Sequence, residues 1–179
     1  MLPTDLNREA IMARRRIARA VSLVLSLGLA AVSPSPAQSS VAVDAGAATL
    51  GDGRDGYSFF ETGVRFSSLK PKAISADVRL ATVPTALASG VLLLAMDLDA
   101  AYVAPLGERL YATPRAGVSL IGGASSDGPG GVPGLNYGIG LVARLDGPLA
   151  LRIDYSRFLF LVDPSVGAST FSIGIAWVH

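Results

Sequence analysis

The feature that most constrains the fold is a strict two-residue alternation over residues 135–155. Every second residue is apolar as far as Leu145 and again from Leu149, whereas the residues between them are mostly small or charged. Successive side chains of a β-strand point to opposite faces, so a period of two predicts strands. The sequence Asp146-Gly147-Pro148 is typical of a turn, because glycine tolerates positive φ and proline cannot donate to a ladder. The stretch therefore predicts a β-hairpin with one apolar face.

The same alternation recurs after residue 37 and predicts eight strands in all. Their predicted bounds are 41–48, 60–67, 74–81, 92–102, 110–120, 135–145, 149–156 and 171–178. The second, fourth and sixth connections are short, whereas the others are longer, and residues 122–134 form the longest predicted loop. Pro114 in the fifth strand removes one ladder hydrogen bond. An even number of antiparallel strands, with short turns at one rim and longer loops at the other, is typical of a transmembrane β-barrel.

The first 37 residues predict a targeting segment rather than a part of the fold. Arg14, Arg15, Arg16 and Arg19 precede an apolar run over 20–32. That run is too short to span a bilayer, which needs about 20 residues. Small residues and prolines at 33–37 then end the run and fit cleavage after Ala37. We expect a signal peptide over 1–37 and one barrel domain over 38–179; a membrane anchor is the alternative for the first segment.

Alternation alone does not say which face lies inside the barrel. A soluble lipocalin-like barrel places its apolar face inside, whereas a membrane barrel places that face outside. The second face of this chain is mostly Gly, Ala and Ser with a few charges, which fits a narrow lumen. After residue 37 the sequence has two lysines, Lys70 and Lys72, whereas a soluble surface is rich in charged residues. We therefore predict a membrane barrel, with a soluble ligand-binding barrel as the alternative.

Aromatic residues near the strand ends support the same orientation. Membrane barrels carry an apolar band between two rings of aromatic residues, the aromatic girdles, at the two interfaces of the bilayer. The predicted girdles are Phe60, Tyr137, Phe158, Phe160 and Phe171 at the long-loop rim, and Phe66, Tyr102 and Trp177 at the short-turn rim.

Charged residues fall on the face that this orientation turns inward. The predicted lumenal charge network consists of Asp44, Glu61, Asp77, Asp97, Asp99, Asp154, Arg65, Arg79, Arg115, Arg144 and Arg152. An unpaired buried charge costs several kcal/mol, so these groups are expected to pair and to close the lumen. A proton or small-ion path, or an acidic metal site at Asp97 and Asp99, remains the alternative.

The sequence offers little for catalysis or cofactor chemistry. There is no cysteine, which excludes a thiolate metal site, and the one histidine, His179, is the last residue. No inward Ser-His-acid group can be assembled from these positions. We predict no catalytic site, no cofactor and no nucleic-acid partner.

The alternating glycine-rich strands, the A-P-L-G-E-R-L-Y turn and the L-D-G-P-L-A-L-R-I-D-Y hairpin resemble the small outer-membrane β-barrel proteins of the OmpA/OmpX-like type, in their barrel domain only. The resemblance implies an eight-stranded antiparallel up-and-down transmembrane β-barrel in the outer membrane. It also implies contact with outer-membrane lipid and with the barrel-assembly machinery, and a structural or surface-interaction role. A narrow porin-like channel is the other function that it admits. Such proteins usually end in an aromatic residue, whereas Trp177 is followed here by Val178 and His179.

Overall fold

The computed structural model describes residues 39–51, 57–84, 86, 92–125, 128–162 and 167–179, and within them all side chains except those of 124–129. The predicted signal peptide over 1–37 and its cleavage point lie outside these residues. Within the described ranges, no helix is long and apolar enough to cross a bilayer.

The described residues form one closed antiparallel sheet. Its strands are β1 (Ser39–Leu50), β2 (Tyr57–Ser68), β3 (Ile74–Thr82), β4 (Leu92–Tyr102), β5 (Ala104–Pro105), β6 (Leu110–Ser125), β7 (Gly128–Arg144), β8 (Leu149–Phe160) and β9 (Gly167–Val178). The strand order is β4-β3-β2-β1-β9-β8-β7-β6-β5, and β4 also pairs with β6, which closes the sheet on itself. Both β4 and β5 pair with β6, and β5 continues β4, so the two count as one strand of the barrel. The fold is therefore an eight-stranded up-and-down barrel, as the alternation predicts.

The hairpin predicted over residues 135–155 is formed by β7 and β8. The two strands pair from Gly134 with Phe160 to Arg144 with Ala150. Gly147 in the turn has a φ of 77°, a conformation in which a side chain is strained. The turn residues therefore act as the sequence indicates.

The break between β4 and β5 lies at Val103, next to Pro114 of β6 in the register. Proline has no N–H, so the ladder loses one bond there. Val103 stays bonded on its other side, where its N–H donates to Ala73 O at 3.1 Å and its carbonyl accepts from the N–H of Lys72 at 2.8 Å. The barrel wall is therefore continuous across the break.

The structure corrects the predicted loop over 122–134. Residues 122–125 and 128–134 continue the β6–β7 hairpin, with pairing from Ser119 and Gly134 out to Ser125 and Gly128, whereas 126 and 127 lie outside the described residues. Their glycines and prolines have low strand propensity, but a register that is already fixed by the barrel carries the ladder outward. The pairing of β7 with β8 ends at Gly134, so the prolines at 129 and 133 lie where β7 has a strand on one side only, which is where a sheet tolerates proline.

Burial follows the alternation and places the apolar face outside. In β9, Phe171, Ile173, Ile175 and Trp177 are exposed, whereas the residues between them are buried. Wherever β8 and β9 pair, inward residues face inward residues and outward ones face outward ones. This is the orientation predicted for a membrane barrel and the reverse of a lipocalin-like one.

The aromatic residues divide differently from the prediction. Phe60, Tyr102, Tyr137, Phe171 and Trp177 are exposed on the outer face. Phe158 is only 5% exposed and, like Phe160, lines the inside of the barrel, because the inward alternation of β8 runs on through Asp154 and Ser156 to both rings. Phe66 keeps its place in the outward alternation of β2 but is 6% exposed.

Candidate functional site

The interior of the barrel is the candidate site, and it is built in three levels. Apolar side chains fill the short-turn end, ion pairs fill the middle, and a cavity occupies the long-loop end. Each strand contributes to these levels through its inward alternation, so the depth of a residue follows directly from its position along the strand.

An apolar layer closes the short-turn end of the lumen. Its members share the inward alternation and are almost completely buried: Ala42, Leu69, Val103, Tyr111, Val142, Ala150, Ala176 and Val178. The sequence analysis did not identify this layer. The signal was present, since Leu69 continues the alternation of Arg65 and Ser67 on β2, and Val142 lies between inward Gly140 and Arg144 on β7. The layer packs the lumen without any charge.

Six charged side chains form one chain of ion pairs in the middle of the lumen. In order along this ion-pair chain they are Arg65, Asp77, Arg152, Asp154, Arg115 and Asp99. Arg152 lies near its centre, with Nη2 3.3 Å from Asp77 Oδ2 and Nε 2.6 Å from Asp154 Oδ2. Arg115 Nη1 lies 2.5 Å from Asp154 Oδ1. Since all six are buried, three positive and three negative groups offset one another.

A second group lies nearer the long-loop end and has more acids than bases. Arg79 Nη2 lies 2.7 Å from Asp44 Oδ1 and 2.6 Å from Glu61 Oε1, so one guanidinium holds two buried carboxylates. Asp97 is half-buried at the same level and accepts a hydrogen bond from the hydroxyl of Ser119 at 2.5 Å. We call Asp44, Glu61, Asp97 and Arg79 the acidic group.

Arg144 is the remaining residue of the predicted lumenal charge network, and Asp97 and Asp99 are the two residues of the predicted metal site. Arg144 lies at the short-turn end beyond Val142 and is half-buried. Asp97 and Asp99 both point inward, but Asp99 lies 3.6 Å from the guanidinium of Arg115. Among the described residues, no cluster of three or more His, Asp or Glu could hold a metal ion. His179 lies outside the lumen beside Trp177, with 6.1 Å between the ring centroids.

Inward glycines make the room that the ion pairs occupy. A Cβ on Gly140 would lie 2.5 Å from both Asp154 Oδ1 and Thr113 Oγ1, and one on Gly117 would lie 2.5 Å from Asp99 Oδ1. Such distances are far below van der Waals contact, so the charged side chains would have to move. The glycines of the inward face are therefore part of the ion-pair architecture.

The variant Gly140→Ala tests this packing. The added methyl group displaces Asp154 from Arg115, and we expect the free energy of unfolding to fall by about 1–3 kcal/mol, the usual range for overpacking. Urea unfolding of the protein in detergent measures the change. Gly107→Ala is the matched control, because a Cβ there meets nothing within 4 Å. Equal stability of the two variants would contradict the role given to Gly140.

A cavity of about 330 Å³ occupies the long-loop end of the lumen. Its wall is mainly apolar and includes Phe59, Leu93, Ile121, Phe158 and Phe160. The rings of Phe158 and Phe160 meet edge to face, with 4.7 Å between their centroids. Its polar lining includes Glu61, Arg79 and Asp97 of the acidic group, together with Asn136 and Ser156. We call this space the mouth cavity.

Comparison with known proteins shows the fold. The chain is similar to Neisserial surface protein A (15% identity, TM-score 0.61), covering 78% of this chain and 96% of that one. It is similar to Ail, the attachment invasion locus protein of Yersinia pestis, in complex with the heparin analogue sucrose octasulfate (12% identity, TM-score 0.58, coverage 80% and 99%). The N-terminal β-barrel domain of Pseudomonas aeruginosa OprF is a third such structure (16% identity, TM-score 0.57, coverage 80% and 99%).

No protein-family model matches the sequence, and no curated protein matches it significantly. The likeness therefore rests on the arrangement of the strands. It shows that the chain has the fold of the small eight-stranded outer-membrane barrels, which is the resemblance that the sequence carries.

Proposed function

We propose that this chain is a closed β-barrel of a Gram-negative-type outer membrane, with a structural or surface-interaction role. The observation that carries the proposal is the apolar outer surface. Its large exposed side chains include Val43, Leu98, Val118, Leu135, Ile139, Leu141, Leu151, Ile153, Ile173 and Ile175. So much exposed apolar surface suits the hydrocarbon of a bilayer, and closure of the sheet leaves no strand edge in lipid.

The route to that membrane follows from the same proposal. The signal peptide over 1–37 directs export, and the barrel-assembly machinery inserts the strands. Outer-membrane lipid is then the partner of the exposed band, and the girdle residues that remain outside, such as Phe171 and Trp177, lie near its two interfaces.

Closure of the lumen favours a structural role over transport. An eight-stranded barrel has an interior just wide enough for side chains to fill. Here the ion-pair chain crosses the middle, and Leu69, Val103 and Val142 of the apolar layer block the short-turn end. A narrow channel is the second candidate, favoured by the mouth cavity. Its path would have to pass through both the ion-pair chain and the apolar layer.

The surface left for an interaction is the long-loop end. There the last contact of β7 on its β8 side is the hydrogen bond from the N–H of Leu161 to Pro133 O, so residues 128–132 of the β6–β7 hairpin extend beyond the neighbouring wall. Its glycine and proline backbone favours a shape-determined contact over one that depends on large side chains.

Two measurements on the protein refolded in detergent test the proposal. A closed membrane barrel resists SDS, so we expect the unboiled sample to migrate differently from the boiled one on a gel. In planar bilayers we expect no discrete conductance steps, because the lumen is filled. Reproducible single-channel steps would favour the channel, and a protein that stays soluble without detergent would refute membrane insertion.

A further inference from the structure

The wall of the mouth cavity is more apolar than the interior of a membrane barrel usually is. The interior of such barrels is usually polar, because water reaches it. Here Phe59 of β2, Leu93 of β4, Ile121 of β6 and Phe158 of β8 bring apolar side chains to the cavity from four different strands. Closing the barrel does not require these residues, since the apolar layer lies at the opposite end.

The polar part of the cavity has an excess of negative charge. Two carboxylates, Glu61 and Asp97, line the cavity together with the single guanidinium of Arg79, which also pairs with Asp44. Arg79 is engaged by Asp44 and Glu61, whereas Asp97 accepts from the hydroxyl of Ser119. Asp97 lines the cavity and is only half-buried, so its carboxylate can still take a donor from the cavity side.

Asn136 adds an acceptor that the protein does not use. Its Nδ2 donates to Ser119 Oγ, and its Oδ1 is buried with no hydrogen-bond partner among the described residues. The side chain is 6% exposed and lines the cavity beside Asp97. A buried acceptor without a donor costs about 1–3 kcal/mol, so a ligand that supplies the donor gains by satisfying it.

We propose that the mouth cavity binds a small arylalkyl primary amine. Its ammonium group donates to the carboxylate of Asp97 and to Oδ1 of Asn136. Its ring packs among Phe158, Leu93 and Ile121. A volume of about 330 Å³ is near the lower end of ligand sites, about 300–1,000 Å³, and so suits a single-ring molecule. This binding site goes beyond the proposed membrane role, which needs no ligand.

The chemistry excludes the near relatives of such an amine. A carboxylate in place of the ammonium group would face Asp97 and Glu61, and a neutral hydroxyl would give Asp97 a weaker hydrogen bond. An alkylamine without the ring would leave the apolar wall unfilled. The affinities of an amine, an alcohol, a carboxylate and a ring-free amine therefore test both the polar part of the cavity and its apolar wall.

The test is a titration of the barrel in lipid nanodiscs with 2-phenylethylamine, followed by backbone amide NMR. We expect saturable shifts in strands β4, β7 and β8. The affinity should exceed that for 2-phenylethanol by about tenfold, the usual value of a charged over a neutral hydrogen bond. 3-Phenylpropionate should give no saturable shift, and butylamine should bind more weakly than the aryl amine.

Two variants and a matched control separate the site from partition into lipid. Asp97→Asn should weaken amine binding by about tenfold and should weaken 2-phenylethanol binding clearly less. Ala48→Phe should fill the cavity and abolish binding of both. Asp146→Asn is the control, because that carboxylate is exposed at the opposite rim and should not affect the titration. Both test variants must first show the heat-dependent gel shift of the folded barrel.

Three outcomes would overturn the proposal. One is binding that does not saturate, or that is equal for wild type and Ala48→Phe, since both indicate partition into lipid. Another is equal affinity for the amine and the alcohol. The last is an affinity that Asp97→Asn leaves unchanged. None of these bears on whether the barrel inserts into a membrane, so failure of the ligand site and failure of the membrane role are distinguishable.

Discussion

Arg79→Met is expected to lower the free energy of unfolding by about 3–5 kcal/mol, the range for removing one partner of a buried ion pair. Methionine keeps much of the side-chain volume but removes the charge. Asp44 and Glu61 are buried and both lie within 2.7 Å of the same guanidinium, so the variant leaves two carboxylates without the cation that holds them. Urea unfolding in detergent measures the loss, with the gel shift used to determine the folded fraction at each urea concentration.

A rescue and a control make this prediction specific. Adding Asp44→Asn and Glu61→Gln to Arg79→Met removes the unbalanced charges, and most of the lost stability should return. Arg109→Met breaks the exposed pair with Asp146, whose side chains are 66% and 93% exposed, and should cost less than about 1 kcal/mol. If Arg79→Met is as mild as Arg109→Met, the acidic group does not depend on its guanidinium.

Ile173→Arg is expected to lower the free energy of unfolding in lipid by about 2–4 kcal/mol, the cost of an arginine at the bilayer midplane. Ile173 lies halfway along β9 on the outer face, 50% exposed, and pairs with Ile153 and Ala45 on the neighbouring strands. A charged group there must leave water for hydrocarbon. Folding into lipid vesicles across a urea series gives the change.

Leu106→Arg is the matched control for this substitution. Leu106 is also exposed, but it lies in the turn after β5, at the short-turn rim, where arginine should cost about 0–1 kcal/mol. A membrane barrel therefore gives different losses at the two positions. Equal and small losses would instead indicate that water surrounds the outer face, as in a soluble barrel.

The sequence predicts the architecture well because the alternation is a local property that the closed barrel preserves. Residues 135–155 alone indicate the hairpin, its turn, and which residues form its apolar face and which form its small and charged face. The same parity places Asp77, Arg115 and Arg152 in the lumen, where the structure finds them buried. Once composition has decided which face is the inner one, strand parity is enough for such predictions, since a one-residue shift would turn every side chain to the other face.

Other features depend on distances along the barrel axis, which parity does not contain. Phe158 shares the inward parity of Asp154, yet its position near a strand end suggested a girdle. The 122–134 segment has the composition of a loop, although residues 122–125 and 128–134 pair with each other and with their neighbours in the sheet. Which acids meet which arginines also depends on the stagger of non-adjacent strands, and the sequence does not give that stagger.

The pairing of Arg152 with Asp77 has a consequence for how the barrel folds. These residues belong to β8 and β3, which are separated in the sheet by β9, β1 and β2. On the other side of the barrel β4, β6 and β7 lie between them. A sheet that is still open at one seam therefore does not hold them together, and their charges stay solvated until the last seam is made. Closure of the seam and neutralisation of the interior are therefore one cooperative event, and half-closed barrels should be rare at equilibrium.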